Sequence, residues 1–358
     1  MAKYRLVIPL RYPRFFYRYV GHAYVFLHIF VAYMIFDVAR HKLIEAIITL
    51  SIIALATVIC NIAIPSAEVV DTTTAPLGML IAEFQQSHNI ISTILGFVLI
   101  FRLSMMVTRT TVRTRIYDAN SFGAMSVVPL AIMMLATPYT MLTTIVVAML
   151  VAEAMRRIFF AFSSEQRINA IFTAMLALGT LPLIDSPLFV VVCALPLIVI
   201  ALRCSLRDFI IAVVGMILPI FTYAYIVWCL GGDFGATIEM FYHSMLTPSL
   251  VDVEALFTLP RIGAIVILLL VGLCSVVFYA MNSRSMKPAT RHTWDFMISS
   301  VLLLCGAFVL LPSITATSLV VITMLVSTMT PMLFLRLGTL LSMLIYVVIL
   351  GLSVATMV

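Results

Sequence analysis

From residue 39 onward, this chain is a series of long apolar runs, and only alternate gaps between the runs carry arginine or lysine. Arg40/Lys42, Arg102–Arg115, Arg156–Arg167, Arg203/Arg207, Arg284–Arg291 and Arg336 hold 15 of the 21 basic residues. The intervening gaps, 65–88, 136–139, 184–187, 231–261 and 312–318, hold one, Arg261. Several runs approach or exceed the ~20 apolar residues that a helix needs to cross ~30 Å of hydrocarbon. Cytoplasmic loops of membrane proteins are enriched in Lys and Arg, so the alternation assigns each gap to a side of the membrane.

The composition leaves no soluble alternative. The chain is 63% hydrophobic and 10% charged, whereas soluble chains carry about 25% charged residues. Backbone groups in lipid must be satisfied within the segment, so the runs are read as helices. A β-barrel would alternate polar and apolar residues in strands of ~10 residues, and Ile262–Val277 does not alternate. The predicted fold is all-α, a polytopic transmembrane bundle of 11–12 membrane helices. Candidate helices cover 20–38, 43–64, 89–107, 119–136, 139–155, 168–184, 187–202, 208–230, 261–281, 293–311, 314–334 and 337–357. Pro129, Pro196 and Pro219 fall inside them and predict kinks.

The net charge of +6 is not a nucleic-acid signal, because the basic residues sit at helix ends. The six cysteines, Cys60, Cys193, Cys204, Cys229, Cys274 and Cys305, are scattered without metal-ligand spacing and read as small hydrophobes. No P-loop, dinucleotide fingerprint, zincin or nucleophile-elbow motif occurs.

The N-terminal segment, residues 1–19, is out of step. It carries Lys3, Arg5, Arg11, Arg14 and Arg18 interleaved with tyrosine and phenylalanine, a pattern that suits an interfacial anchor. Its length and the lack of a small-x-small site argue against a cleavable signal peptide. If 20–38 spans, this basic tail lies outside. If 20–38, with His22, His28 and Asp37, lies at the interface, the tail stays inside and eleven crossings remain. The second arrangement obeys the charge rule. Residues 20–358 then form one transmembrane domain, with its C-terminus outside.

Acidic residues collect in the two long outer gaps. Gap 65–88 carries Glu68, Asp71, Glu83 and His88; gap 231–261 carries Asp233, Glu239, His243, Asp252, Glu254 and Arg261. Each contains an amphipathic stretch, Leu77–Phe84 and Ile238–Leu246, suited to lie on the membrane and roof a cavity. Intramembrane charges are few. Arg102 and Glu153 are placed near cytoplasmic loops, where snorkelling explains them.

Two resemblances follow. The motif RRIFFAF from Arg156, the aliphatic helix pair after it, the Arg203-x-x-x-Arg207-Asp208 loop and the Gly215-x-x-x-Pro219 helix resemble an uncharacterised family of polytopic inner-membrane proteins of Bacteroidetes, over about residues 90–235. The order of elements is also similar to the GT-C membrane glycosyltransferases, whose first long outer loop holds a catalytic carboxylate. That layout implies a bacterial inner-membrane protein that acts at the outer face on a polyprenyl-phosphate-linked sugar. It makes Asp71 or Glu68 the general base or the holder of a divalent cation, and Arg261 the phosphate partner. His243, Asp233 and Glu239 would line the substrate site. The turn Leu183–Pro187 lacks the lysine usual in that class, which favours the alternative of a non-catalytic scaffold in an envelope complex. A small-solute or lipid transporter is the third reading. Membrane lipids are the expected partners in each.

Overall fold

The computed structural model describes residues 43–63, 75–117, 121–136, 140–162, 167–188, 205–246, 259–310 and 316–357. All of its elements belong to the unit Val38–Val358. In chain order they are α1 (Leu43–Ala63), α2 (Pro76–Ser87), α3 (Asn89–Arg113), α4 (Ala124–Met133), α5 (Met141–Ala161), α6 (Arg167–Gly179) and the single turn α7 (Leu181–Ile184). After them come α8 (Leu206–Cys229), α9 (Phe234–Leu246), α10 (Leu259–Asn282), α11 (Pro288–Leu310), α12 (Ala316–Arg336) and α13 (Thr339–Met357). No strand occurs among the described residues. The fold is an all-α helical bundle.

Six segments are long and apolar enough to cross a membrane: Asn89–Arg113, Arg167–Ile184, Leu206–Cys229, Pro260–Ser285, Leu319–Arg336 and Thr339–Thr356. They fit an integral, multi-pass membrane protein. The expected span over 119–136 is instead the ten-residue α4, every residue of which is buried. A buried apolar helix of this length is a core element rather than a crossing. The expected helix 20–38 and Pro196 lie outside the described residues.

The centre of the bundle is α12. It is buried from Leu319 to Phe334 and packs against α10, α4, α5, α11 and α13. Its interior is rich in hydroxyls, which bond back to its own carbonyls. Ser327, Thr328 and Thr330 donate to Met324, Leu325 and Val326. These bonds let polar residues occupy a dry core. Pro331 interrupts the helix and deprives the Ser327 carbonyl of its usual donor. The Tyr117 hydroxyl donates to the adjacent Thr328 carbonyl from another part of the chain.

Close approach of α6 and α8 rests on two glycines. A Cβ on Gly179 would fall on the Met216 carbonyl oxygen, and one on Gly215 would lie 2.9 Å from the Phe172 carbonyl oxygen. Small residues at such crossings let membrane helices pack backbone to backbone.

Candidate functional site

The interhelical hydrogen bonds join like ends of the helices. At the Arg-rich end, the chain leaving α3 turns sharply. Ile116 N–H donates to the Thr111 carbonyl (3.2 Å) and Arg115 N–H to the Val112 carbonyl (3.3 Å). This is a Schellman ending, and Arg115 takes the left-handed conformation (φ 50°) that usually falls to glycine. The first turns of α11 hold the turn in place. Trp294 Nε1–H donates to the Ile116 carbonyl (3.1 Å), and Thr290 reaches the Arg115 carbonyl (3.5 Å). Tyr279 stacks on Trp294, with ring centroids 5.2 Å apart, and donates to Asp295 (2.7 Å). Burial raises the Tyr117 hydroxyl well above the ordinary phenol pKa, so it remains a donor. This assembly is structural latching rather than chemistry.

The same end carries Asp208, a buried acid. It completes a capping box with Ser205 at the start of α8 (Ser205 N–H to Asp208 Oδ2, 3.0 Å) and lies 3.6 Å from Arg167. Both contacts account for its burial. On α5, Glu153 accepts from Arg156 and Arg157 along the helix.

Among the described residues, the charged side chains that are buried are Asp185, Asp208 and Arg261. Asp185 and Arg261 belong to the opposite, Arg-poor end. Asp185 follows α7, which Pro182 begins as a new turn after Thr180. Its own N–H donates to the Leu181 carbonyl and its carbonyl accepts from Leu188 N–H, each at 3.0 Å. This turn aims the carboxylate into the protein, where it is 4% exposed. The hydroxyl of Thr317, in the first turn of α12, donates to Asp185 Oδ2. A carboxylate at a helix N-terminus is further favoured by the unpaired N–H groups and the positive end of the helix dipole.

Arg261 sits in the first turn of α10 and is 9% exposed. Both α10 and α12 start at the Arg-poor end and pack side by side. Their register is set where Gly272 meets Val326; a Cβ there would lie 2.8 Å from Val326 Cγ1. Counting back from that contact, Arg261 and Thr317 stand at levels about 3 Å apart along the helices. The packing therefore places an arginine and an acid-bound threonine in the first turns of neighbouring helices.

The amphipathic helix α2 covers this end. It starts on Pro76, buries Gly78 and Gln85, and packs against α3, α5 and α7. Gln85 Oε1 accepts from the Leu142 N–H (3.2 Å), one of the first-turn amides of α5 that has no partner within its own helix. The second amphipathic stretch forms α9. Asp233 caps it, with Oδ1 accepting from Gly235 N–H (2.9 Å). Its aromatic residues meet α8: Phe234 packs edge-on to Phe221 (5.3 Å) and Phe241 to Tyr223 (6.0 Å). Both anchors fall some two turns below the end of α8, so α9 folds back along it.

The expected site residues thus separate. Glu68 and Asp71 lie outside the described residues. Asp233 is a helix cap. Glu239 and His243 face each other on exposed positions of α9, 3.5 Å apart. Arg261 is the expected residue that occupies a buried setting. Asp185 escaped the sequence reading, because Asp185-Ser186-Pro187 reads as ordinary turn chemistry. Only burial distinguishes it from a solvated turn residue. Among the described residues, no group of three His, Cys, Asp or Glu side chains is placed to hold a metal ion.

No family model, curated protein or solved structure matches this chain. Function must therefore be argued from the residues themselves.

Proposed function

We propose that this protein handles a polyprenyl-phosphate-linked sugar at the outer face of a bacterial inner membrane, with its Arg-poor end outward and acting as a GT-C-like glycosyltransferase. The observation that carries this reading is the burial of Arg261 and Asp185 in that end, at the first turns of adjacent helices. A guanidinium there suits a phosphate, which it can bind through two parallel hydrogen bonds. The carboxylate suits a base that accepts the proton of an incoming sugar hydroxyl. Glu68 and Asp71 are the further acids in the same reading, as alternative bases or as ligands of a divalent cation on the carrier phosphate. The positive ends of the α10 and α12 dipoles add to the attraction for an anion. The GT-C-like order of elements and the Bacteroidetes resemblance support the same placement.

The test is purification from native membranes followed by mass spectrometry of the bound lipids. An isoprenoid phosphate that co-purifies with the wild type and is lost in Arg261→Gln is the expected result. In cells, Asp71→Asn or Asp185→Asn should abolish glycan transfer while membrane insertion persists. Unchanged glycan profiles in both variants, or a stable protein partner with no isoprenoid bound, would replace this reading with that of a scaffold.

A further inference from the structure

A charged stripe runs along the outside of α3. Arg102, Arg109 and Arg113 are all exposed, and spacings of seven and four residues put them on one face of the helix. None of the three forms an ion pair among the described residues. Toward the Arg-poor end, exposed Ile91, Ile94, Leu95 and Val98 continue the same side. The opposite face packs inward through Gly96, Leu103, Ser104, Val107 and Thr111.

Arg102 is not at the end of its helix. It stands eleven positions from Arg113, about 16 Å along the axis. Helical side chains lean toward the N-terminus, which here is the Arg-poor end. Arg102 therefore leans away from the nearer, Arg-rich surface, and snorkelling to that surface works against its geometry. Arg109 lies about 10 Å away along the axis and leans toward Arg102. Both side chains can converge on one anion between them.

We propose that this face of α3 binds an anionic phospholipid of the leaflet at the Arg-rich end. The phosphate sits between Arg102 and Arg109, and an acyl chain lies along Val98, Leu95 and Ile91. The order of charge and then apolar residues along one helix face matches a phosphate followed by its chain. An exposed arginine at this depth is otherwise an uncompensated intramembrane charge. A second copy of the chain fits less well, because a two-fold contact through this face would bring arginine toward arginine.

The test uses the full-length protein in detergent, incubated with phosphatidylglycerol or phosphatidylcholine and observed by native mass spectrometry. The wild type should retain phosphatidylglycerol preferentially. Each arginine contributes a factor of roughly five, so R102Q/R109Q should weaken retention roughly 25-fold. The matched double variant R207Q/R284Q, at exposed positions elsewhere, should retain the lipid. Equal retention of the two lipids by the wild type, or equal loss in both variants, would overturn the proposal. A photoactivatable phosphatidylglycerol on the wild type gives a measure independent of variant folding. Labelling concentrated on residues 91–109 supports the site, and labelling spread evenly over the exposed helices refutes it.

Discussion

The hydroxyl of Thr317 donates to the carboxylate of Asp185 across 132 residues of sequence, and both side chains are buried. The bond ties the turn after α7 to the first turn of the central helix α12. A buried carboxylate that loses a donor bears the cost of its own desolvation.

Thr317→Val keeps the shape and removes the hydroxyl. It should destabilise the protein by about 1–3 kcal/mol, whereas Thr317→Ser should recover most of the loss. Thermal unfolding in detergent, followed by tryptophan fluorescence, measures both. Equal stability of the valine and wild-type proteins would show that the bond contributes nothing.

Gly179→Ala should be among the most damaging small substitutions. Its Cβ meets backbone, the Met216 carbonyl, which cannot turn aside as a side chain can. Overpacking of this kind costs about 1–3 kcal/mol. Gly306, on α11, has open space around its Cβ position, so Gly306→Ala should be neutral or stabilising through higher helix propensity. The comparison is a thermal shift on the two variants side by side.

Tyr117→Phe removes the hydroxyl that donates to Thr328 beside Pro331. The expected cost is about 1–2 kcal/mol, and hydrogen exchange should rise in α12 near Pro331. Unchanged exchange there would mean that α12 does not depend on this bond.

Arg115→Gly should stabilise the protein by about 1 kcal/mol. The residue holds the left-handed position of the Schellman turn, where a Cβ costs roughly 1–2 kcal/mol and glycine loses some of that advantage through chain entropy. Chemical denaturation of the two proteins checks the sign. A loss of stability would mean that contacts of the Arg115 side chain outweigh its backbone strain.

Helix boundaries show where local reading stops. The sequence suggested that α3 ends near residue 107, because Thr108, Arg109, Thr110 and Thr111 look like the start of a polar loop. The helix runs to Arg113. Thr108, Thr110 and Thr111 return their hydroxyls to the carbonyls of Ser104, Met106 and Thr108. Polar residues thus continue the helix by satisfying themselves within it. That extension puts Arg102 three turns from the helix end rather than one or two, so snorkelling no longer accounts for it. Pro331 was equally visible as a residue, but its position inside a buried helix emerges only from the packing of α12.

Hydrophobic length and charge alternation sufficed for the class of this protein, because crossing a bilayer imposes a period and a polarity on every segment independently of its neighbours. They also anticipated the helices α2 and α9 in the two long Arg-poor gaps. The choice of site residues needed the tertiary structure. In sequence, Asp185 is one more acid in a turn and Asp233 a candidate ligand; in the fold, Asp185 is buried against Thr317 and Asp233 caps a surface helix. Burial and partners are set by contacts between segments far apart in the chain, and those contacts leave no periodic trace in either segment alone.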